Sequence, residues 1–184
     1  MNAFEFAFSL FGLLLGLALA EGLGGLARAL KARHRVRIGW LTALLGLFVS
    51  LDLVTFWAYA WVLRDQIPAS FPVLFYGFVT TALYFIAAAC VFPNETDEWQ
   101  DLDGHFFRQR RLVLGGTFIA NAMLLAAAVA LIGGGIGWLD VRTLVITWSL
   151  FPLTLVAMFA RDRRVILGAL AWLIALYPLS LAWR

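Results

Sequence analysis

The sequence predicts an all-α polytopic membrane protein, a bundle of six transmembrane helices with both termini outside. Three observations carry this. Of the 184 residues, 63% are apolar and 14% charged, whereas soluble domains hold roughly 45–50% apolar and about 25% charged residues. Apolar runs bounded by charge clusters recur six times, each long enough or nearly so for the ~20 residues that cross ~30 Å of hydrocarbon. The basic residues also concentrate in every second loop, on one side of the bundle.

The runs cover residues 4–27, 38–63, 71–92, 112–132, 143–160 and 165–183. So little chain remains outside them that 1–184 is read as a single membrane domain. The first run ends in Ala18-Leu19-Ala20, which resembles a signal-peptide cleavage site, but Glu5 and the absence of a basic n-region favour an uncleaved first helix. The last two runs are separated only by Arg161-Asp162-Arg163-Arg164 and must be antiparallel neighbours.

Orientation follows from the loops, because cytoplasmic loops retain Lys and Arg. The loops after spans one, three and five carry Arg28, Lys31, Arg33, Arg35 and Arg37, then Arg108, Arg110 and Arg111, then Arg161, Arg163 and Arg164. The other side carries Arg64, Arg142 and Arg184 alone. Both termini are therefore expected outside, with the Arg clusters against anionic headgroups in the cytoplasm. Trp40 and Trp99 fall at the inner boundary and Trp61, Trp138 and Trp183 at the outer one, as interfacial anchors do.

The net charge of +3 sits in short segments beside apolar spans, so lipid and not nucleic acid is the expected partner. One Lys against thirteen Arg, with heavy use of Ala, Leu and Gly, is associated with a bacterial chain and hence with the inner membrane. The longest loop, 93–111, reads as a cytoplasmic interfacial helix. Asn94 is placed to cap it, Glu95, Asp97 and Glu98 occupy its first turn, and Trp99, Leu102 and Phe106 share one face.

Span one carries Gly12, Gly16, Ala20 and Gly24 at four-residue intervals, a stripe that lets another helix approach closely, within the protomer or in a homo-oligomer. Span four repeats the pattern in Ala122, Ala126, Ala130 and Gly134, which raises the expectation of a 3+3 inverted repeat.

Chemistry is sought among polar groups inside the hydrocarbon, where each carries an insertion cost. Asp52 lies near the middle of span two, with Thr55 and Tyr59 on its face. Glu21 lies in the inner half of span one, with Arg28 two turns away, and Asn121 lies near the middle of span four beside Thr117. Tyr76, Thr80 and Tyr84 form a row on span three, and Thr143, Thr147 and Thr154 another on span five. Pro152 and Pro178 each free a backbone carbonyl one turn earlier. The Thr and Tyr rows read first as interhelical glue. Asp52 reads as functional, because a mid-bilayer carboxylate costs ~2.5–3.5 kcal/mol.

The leading expectation is a small oligomeric channel or transporter for a cation or protons. Its pathway residues would be Asp52, Glu21, Asn121, Thr55, Tyr59, Thr80 and Tyr84. The alternative is a non-catalytic scaffold or accessory subunit, and the third is a lipid-acting enzyme using His105, Asp101 and Asp103. Lys31 is the one lysine and His34 and His105 the two histidines, all in loops, while Cys90 is the single cysteine. No retinal Schiff base, transmembrane haem ligation or disulfide can be built from these, and no cofactor is expected.

Overall fold

The computed structural model describes residues 3–32, 39–68, 70–93, 102–132 and 140–182. Among these the chain is helical without strands, and six helices are long and apolar enough to cross a membrane. They are α1 (Ala3–Ala32), α2 (Trp40–Val62), α3 (Phe71–Ala89), α4 (Leu102–Ile132), α5 (Val141–Phe159) and α6 (Arg163–Ala182).

Their directions follow from side-chain pairs. Gly22 of α1 faces Ser50 of α2 and Gly12 faces Trp57, so α1 and α2 are antiparallel. Gly116 of α4 lies against Ala87 of α3, while the Tyr76 hydroxyl donates to the Met123 carbonyl at 2.7 Å; these two are also antiparallel. Arg110 reaches Ala160 and Phe118 stacks edge-on against Phe151, which makes α4 and α5 antiparallel as well. The start of α1 and the end of α6 thus share one end of the bundle, the terminal end. Arg108, Arg110, Arg111, Arg161, Arg163 and Arg164 lie at the other, the basic end.

The α2 helix is the centre of the packing, touching α1, α3, α4 and α6. Its apolar window is 56% buried, against 17% for α5. Every third or fourth residue from Leu41 through Leu45, Phe48, Val49, Asp52, Leu53 and Phe56 to Ala60 is buried, which is the repeat by which a helix keeps one broad face inward. Phe92 enters between α1 and α2, where Gly25 and Gly46 have no side chain to exclude its ring; a Cβ on either would overlap it.

The first span runs past its expected end at 27 to Ala32, which puts Arg28 and Lys31 on the helix and not in the loop, and two larger differences bear on the site. Segment 93–111 was expected to lie apart from a span beginning at 112, but α4 runs unbroken from Leu102. Leu102, Phe106, Arg110, Val113, Thr117 and Ala120 form one buried stripe, so the apolar face read as interfacial is the same face that packs the transmembrane part. The Thr42 hydroxyl donates to the Leu102 carbonyl at 2.5 Å and fixes that first turn to α2. Asn94 to Asp101, including Trp99, lie outside the described residues. The second difference is in α5, which opens with a short α-turn at Val141–Thr143, passes through a π-helical segment at Leu144–Trp148 and becomes α-helical at Leu150–Phe159. Pro152 supplies the cause: it has no N–H for the Trp148 carbonyl and its ring crowds that carbonyl, so the ladder widens by one residue before it. The Ser149 hydroxyl takes the Val145 carbonyl within the widened turn.

Candidate functional site

Asp52 is where four helices meet. It is 1% exposed, and its carboxylate accepts from three of them. Oδ2 receives the Tyr84 hydroxyl of α3 at 3.0 Å and Asn121 Nδ2 of α4 at 2.6 Å; Oδ1 receives the Tyr177 hydroxyl of α6 at 3.2 Å. Asn121 Nδ2 also donates to the Thr117 carbonyl at 3.0 Å, which fixes the amide orientation. Tyr84 is completely buried and held edge-on by Phe56 at a ring separation of 5.9 Å. Every partner offers a donor, which is the set an ionised carboxylate uses as an acceptor. No cationic side chain among the described residues bonds to it.

The carboxylate forms the floor of a cavity of about 420 Å³, within the size range of small-molecule sites. The cavity runs between α2, α4, α5 and α6 toward the terminal end, past Tyr59 and Val62 on α2 and Ser180 on α6 to Arg142 on α5. From Asp52 to Val62 it spans about 15 Å at ~1.5 Å per residue. Its existence is tied to the π-helical part of α5, which packs on α6 and leaves α4 uncovered at this level; Thr143, Ile146 and Thr147 line the resulting wall. Toward the basic end the site is closed, because Phe48, Val49, Leu114, Ala157, Leu170 and Leu173 have no exposed surface.

Of the residues singled out in the sequence, Asp52, Thr55, Tyr59 and Asn121 line this cavity, and Tyr84 supports Asp52 from behind. The Thr55 hydroxyl donates back to the Asp52 carbonyl at 2.7 Å. Thr80 stands elsewhere. It bonds to the Tyr76 carbonyl at 2.9 Å, approaches Met123 Sδ at 3.8 Å, and lines a separate apolar cavity of about 90 Å³ with Phe11 and Phe56. The span-three row is therefore divided, with Tyr84 turned to Asp52 and Tyr76 and Thr80 turned to Met123, in the half of α4 nearer the terminal end.

Glu21 is exposed on the outer surface of α1, away from Asp52. The small-residue stripe mostly shares that surface. A Cβ on Gly12 would touch Trp57 at 3.4 Å, one on Gly24 would meet only the Arg28 side chain of the same helix at 3.5 Å, and one on Gly16 would meet nothing within 4 Å; Ala20 is exposed. The close helix contacts inside the protomer are made by Gly22 and Gly25 instead.

Two residues of the site were not found in the sequence. Tyr177 is the one Tyr in α6, and a hydroxyl in the membrane beside Pro178 is a signal of the same kind as Tyr84. Arg142 had been counted only as a loop charge. Its Nη2 lies 3.5 Å from the Ser180 carbonyl, and among the described residues it has no carboxylate partner.

The basic end holds a second polar group. Asp103 Oδ2 pairs with Arg163 Nη2 at 2.6 Å, Arg110 Nη1 donates to the Ala160 carbonyl at 2.7 Å, and His105 Nε2 lies 3.3 Å from the Cys90 carbonyl. Together they tie the α5–α6 turn and the end of α3 to the first turns of α4. His105 is buried and lines neither of the two cavities described above. Asp101 lies outside the described residues.

Comparison with protein-family models, curated proteins and solved structures finds no match to this chain.

Proposed function

We propose that the protein is a small membrane transporter for a cation or protons, with Asp52 as its binding group. The observation that supports this is a buried carboxylate with no cationic partner among the described residues, at the floor of a cavity that reaches one end of the bundle. A purely structural acid needs no such access, and a mid-bilayer carboxylate would cost ~2.5–3.5 kcal/mol for no return. Closure toward the basic end favours a carrier with one-sided access over an open channel, with the π-helical half of α5 as the wall free to move.

In this reading the termini and the cavity mouth face outside, and the Arg clusters meet anionic headgroups on the cytoplasmic face of a bacterial inner membrane. Protomers associate through the outer face of α1, where Glu21, Gly16 and Ala20 are exposed. The test is flux. Purified protein in liposomes should dissipate an imposed proton, sodium or potassium gradient, and Asp52→Asn should not. Absence of flux of any of these from the wild type would leave the scaffold reading, which the exposed α1 face and the thinly covered α5 favour.

A further inference from the structure

Asp52 and Arg142 line the same cavity from opposite ends, and neither charge is compensated among the described residues. That pairing says more about the ligand than either group alone. A carboxylate has about four acceptor positions. Two on Oδ2 are taken by Tyr84 and Asn121 and one on Oδ1 by Tyr177; the Thr55 hydroxyl beside the carboxyl spends its hydrogen on the Asp52 carbonyl, which leaves one position on Oδ1 for a donor arriving through the cavity. Arg142 presents five N–H groups and spends one on a long contact to the Ser180 carbonyl, so its planar edge is available to an anionic group.

The spacing sets the ligand's length. Tyr177, which touches Asp52, and Ser180, which Arg142 reaches, are three residues apart on α6, about 4.5 Å along the axis. The Tyr177 side chain leans back toward the start of α6, and the cavity extends ~15 Å from Asp52 to its mouth, so the two charges are separated by roughly 10–15 Å. Between them the walls are mostly apolar, with Leu124, Leu125, Ile146 and Leu176 beside the hydroxyls of Tyr59 and Thr147, which suits a chain of methylene groups. A bare cation would enter past the like charge of Arg142, whereas a molecule with an anionic tail reverses the sign of that interaction.

We propose that the cavity binds a water-soluble amphoteric molecule of the ω-amino acid type, its ammonium group on Asp52 and its carboxylate on Arg142. This rests on the transport reading of Asp52, with the ammonium group as the cation.

The experiment is calorimetric titration of the full chain in lipid nanodiscs with ε-aminocaproate, amylamine and caproate, in the wild type, Arg142→Gln and Asp52→Asn. Arg142 is exposed, so its replacement leaves the fold intact. Aminocaproate should bind about tenfold tighter than amylamine or more, the least a bidentate charge-assisted pair contributes. Arg142→Gln should remove that preference without weakening amylamine, and Asp52→Asn should weaken both. Equal binding of amylamine and aminocaproate to the wild type, or a preference untouched by Arg142→Gln, overturns the amphoteric ligand while leaving Asp52 a cation site. Wild-type protein that binds no probe and passes no ion overturns the transport reading itself. Aminocaproate binding that is suppressed in phosphatidylethanolamine discs but not in phosphatidylglycerol discs would assign the cavity to a zwitterionic lipid headgroup, and overturn the soluble ligand.

Discussion

Replacing Asp52 by Asn separates charge from shape. The amide oxygen can occupy the Oδ2 position and keep the donors from Tyr84 and Asn121, while the amide nitrogen faces the Tyr177 hydroxyl, which rotates to accept. Three charge-assisted hydrogen bonds become neutral ones, a loss of about 1 kcal/mol each. Against this stands relief of the ~2.5–3.5 kcal/mol that a mid-bilayer carboxylate costs. The two nearly cancel, so the variant should fold with a thermal midpoint within a few degrees of the wild type, at ~2–4 °C per kcal/mol. Flux, by contrast, should disappear, because the neutral amide lacks both the charge that holds a cation and the site that takes a proton. Asp52→Leu is the structural control: it orphans the completely buried Tyr84 hydroxyl at about 1–3 kcal/mol and should lower the midpoint. The assay pairs dye-reported flux in liposomes with thermal unfolding in detergent. Wild-type flux in Asp52→Asn would refute the role of the charge. A fall in its midpoint of more than about 10 °C would show that the ionised group holds the bundle together.

Other perturbations read the remaining claims. A reporter fused after Arg184 should be active outside the cell, and a membrane-impermeant maleimide should reach Cys90, at the basic end, only after permeabilisation; burial pushes that thiol up, so its labelling should also be slower than that of a free thiol near pH 8. Gly25→Ile should displace Phe92 and lower thermal stability, whereas Gly16→Ile, which meets nothing within the protomer, should leave thermal stability unchanged and, on the proposed association through α1, shift the elution volume. Arg110→Leu leaves the Ala160 carbonyl without its donor and should cost about 1–3 kcal/mol, read as a lower thermal midpoint.

The helices were legible because hydrophobic runs and charge clusters are local signals, and Asp52 was legible because a charge in such a run has a cost readable from one position. What surrounds Asp52 was not. Tyr177 lies 125 positions away, and nothing local separates it from a tyrosine anchored at the interface. Arg142 carries the local signal of an Arg beside a span, which ordinarily serves headgroups; that it also lines the cavity depends on how α5 packs on α6. The same limit explains the glycines. A four-residue spacing marks a stripe on one helix, but which stripe is covered depends on where Phe92 and Phe11 arrive from other segments. The first turns of α4 were assigned to the interface because acidic residues precede them, although the stripe from Leu102 to Ala120 runs without interruption.

Glu21 completes the argument, because it lies at nearly the depth of Asp52: Gly22 packs against Ser50, two residues from the carboxylate at the site. Both groups carry the cost of a mid-bilayer acid. For Asp52 three donors offset it; for Glu21, exposed on α1, the compensation has to come from outside the protomer, either from surrounding lipid and water or from a second copy of α1. These alternatives have opposite consequences for Glu21→Leu. If the residue faces lipid, the substitution removes a cost and raises the thermal midpoint without changing size. At a contact between two copies of α1 it removes a hydrogen-bonding group from the interface, so the oligomer should dissociate at higher protein concentration than the wild type, while Glu21→Gln, which still pairs amide to amide, should hold it together. A more stable Glu21→Leu protein of unchanged size would overturn association through α1.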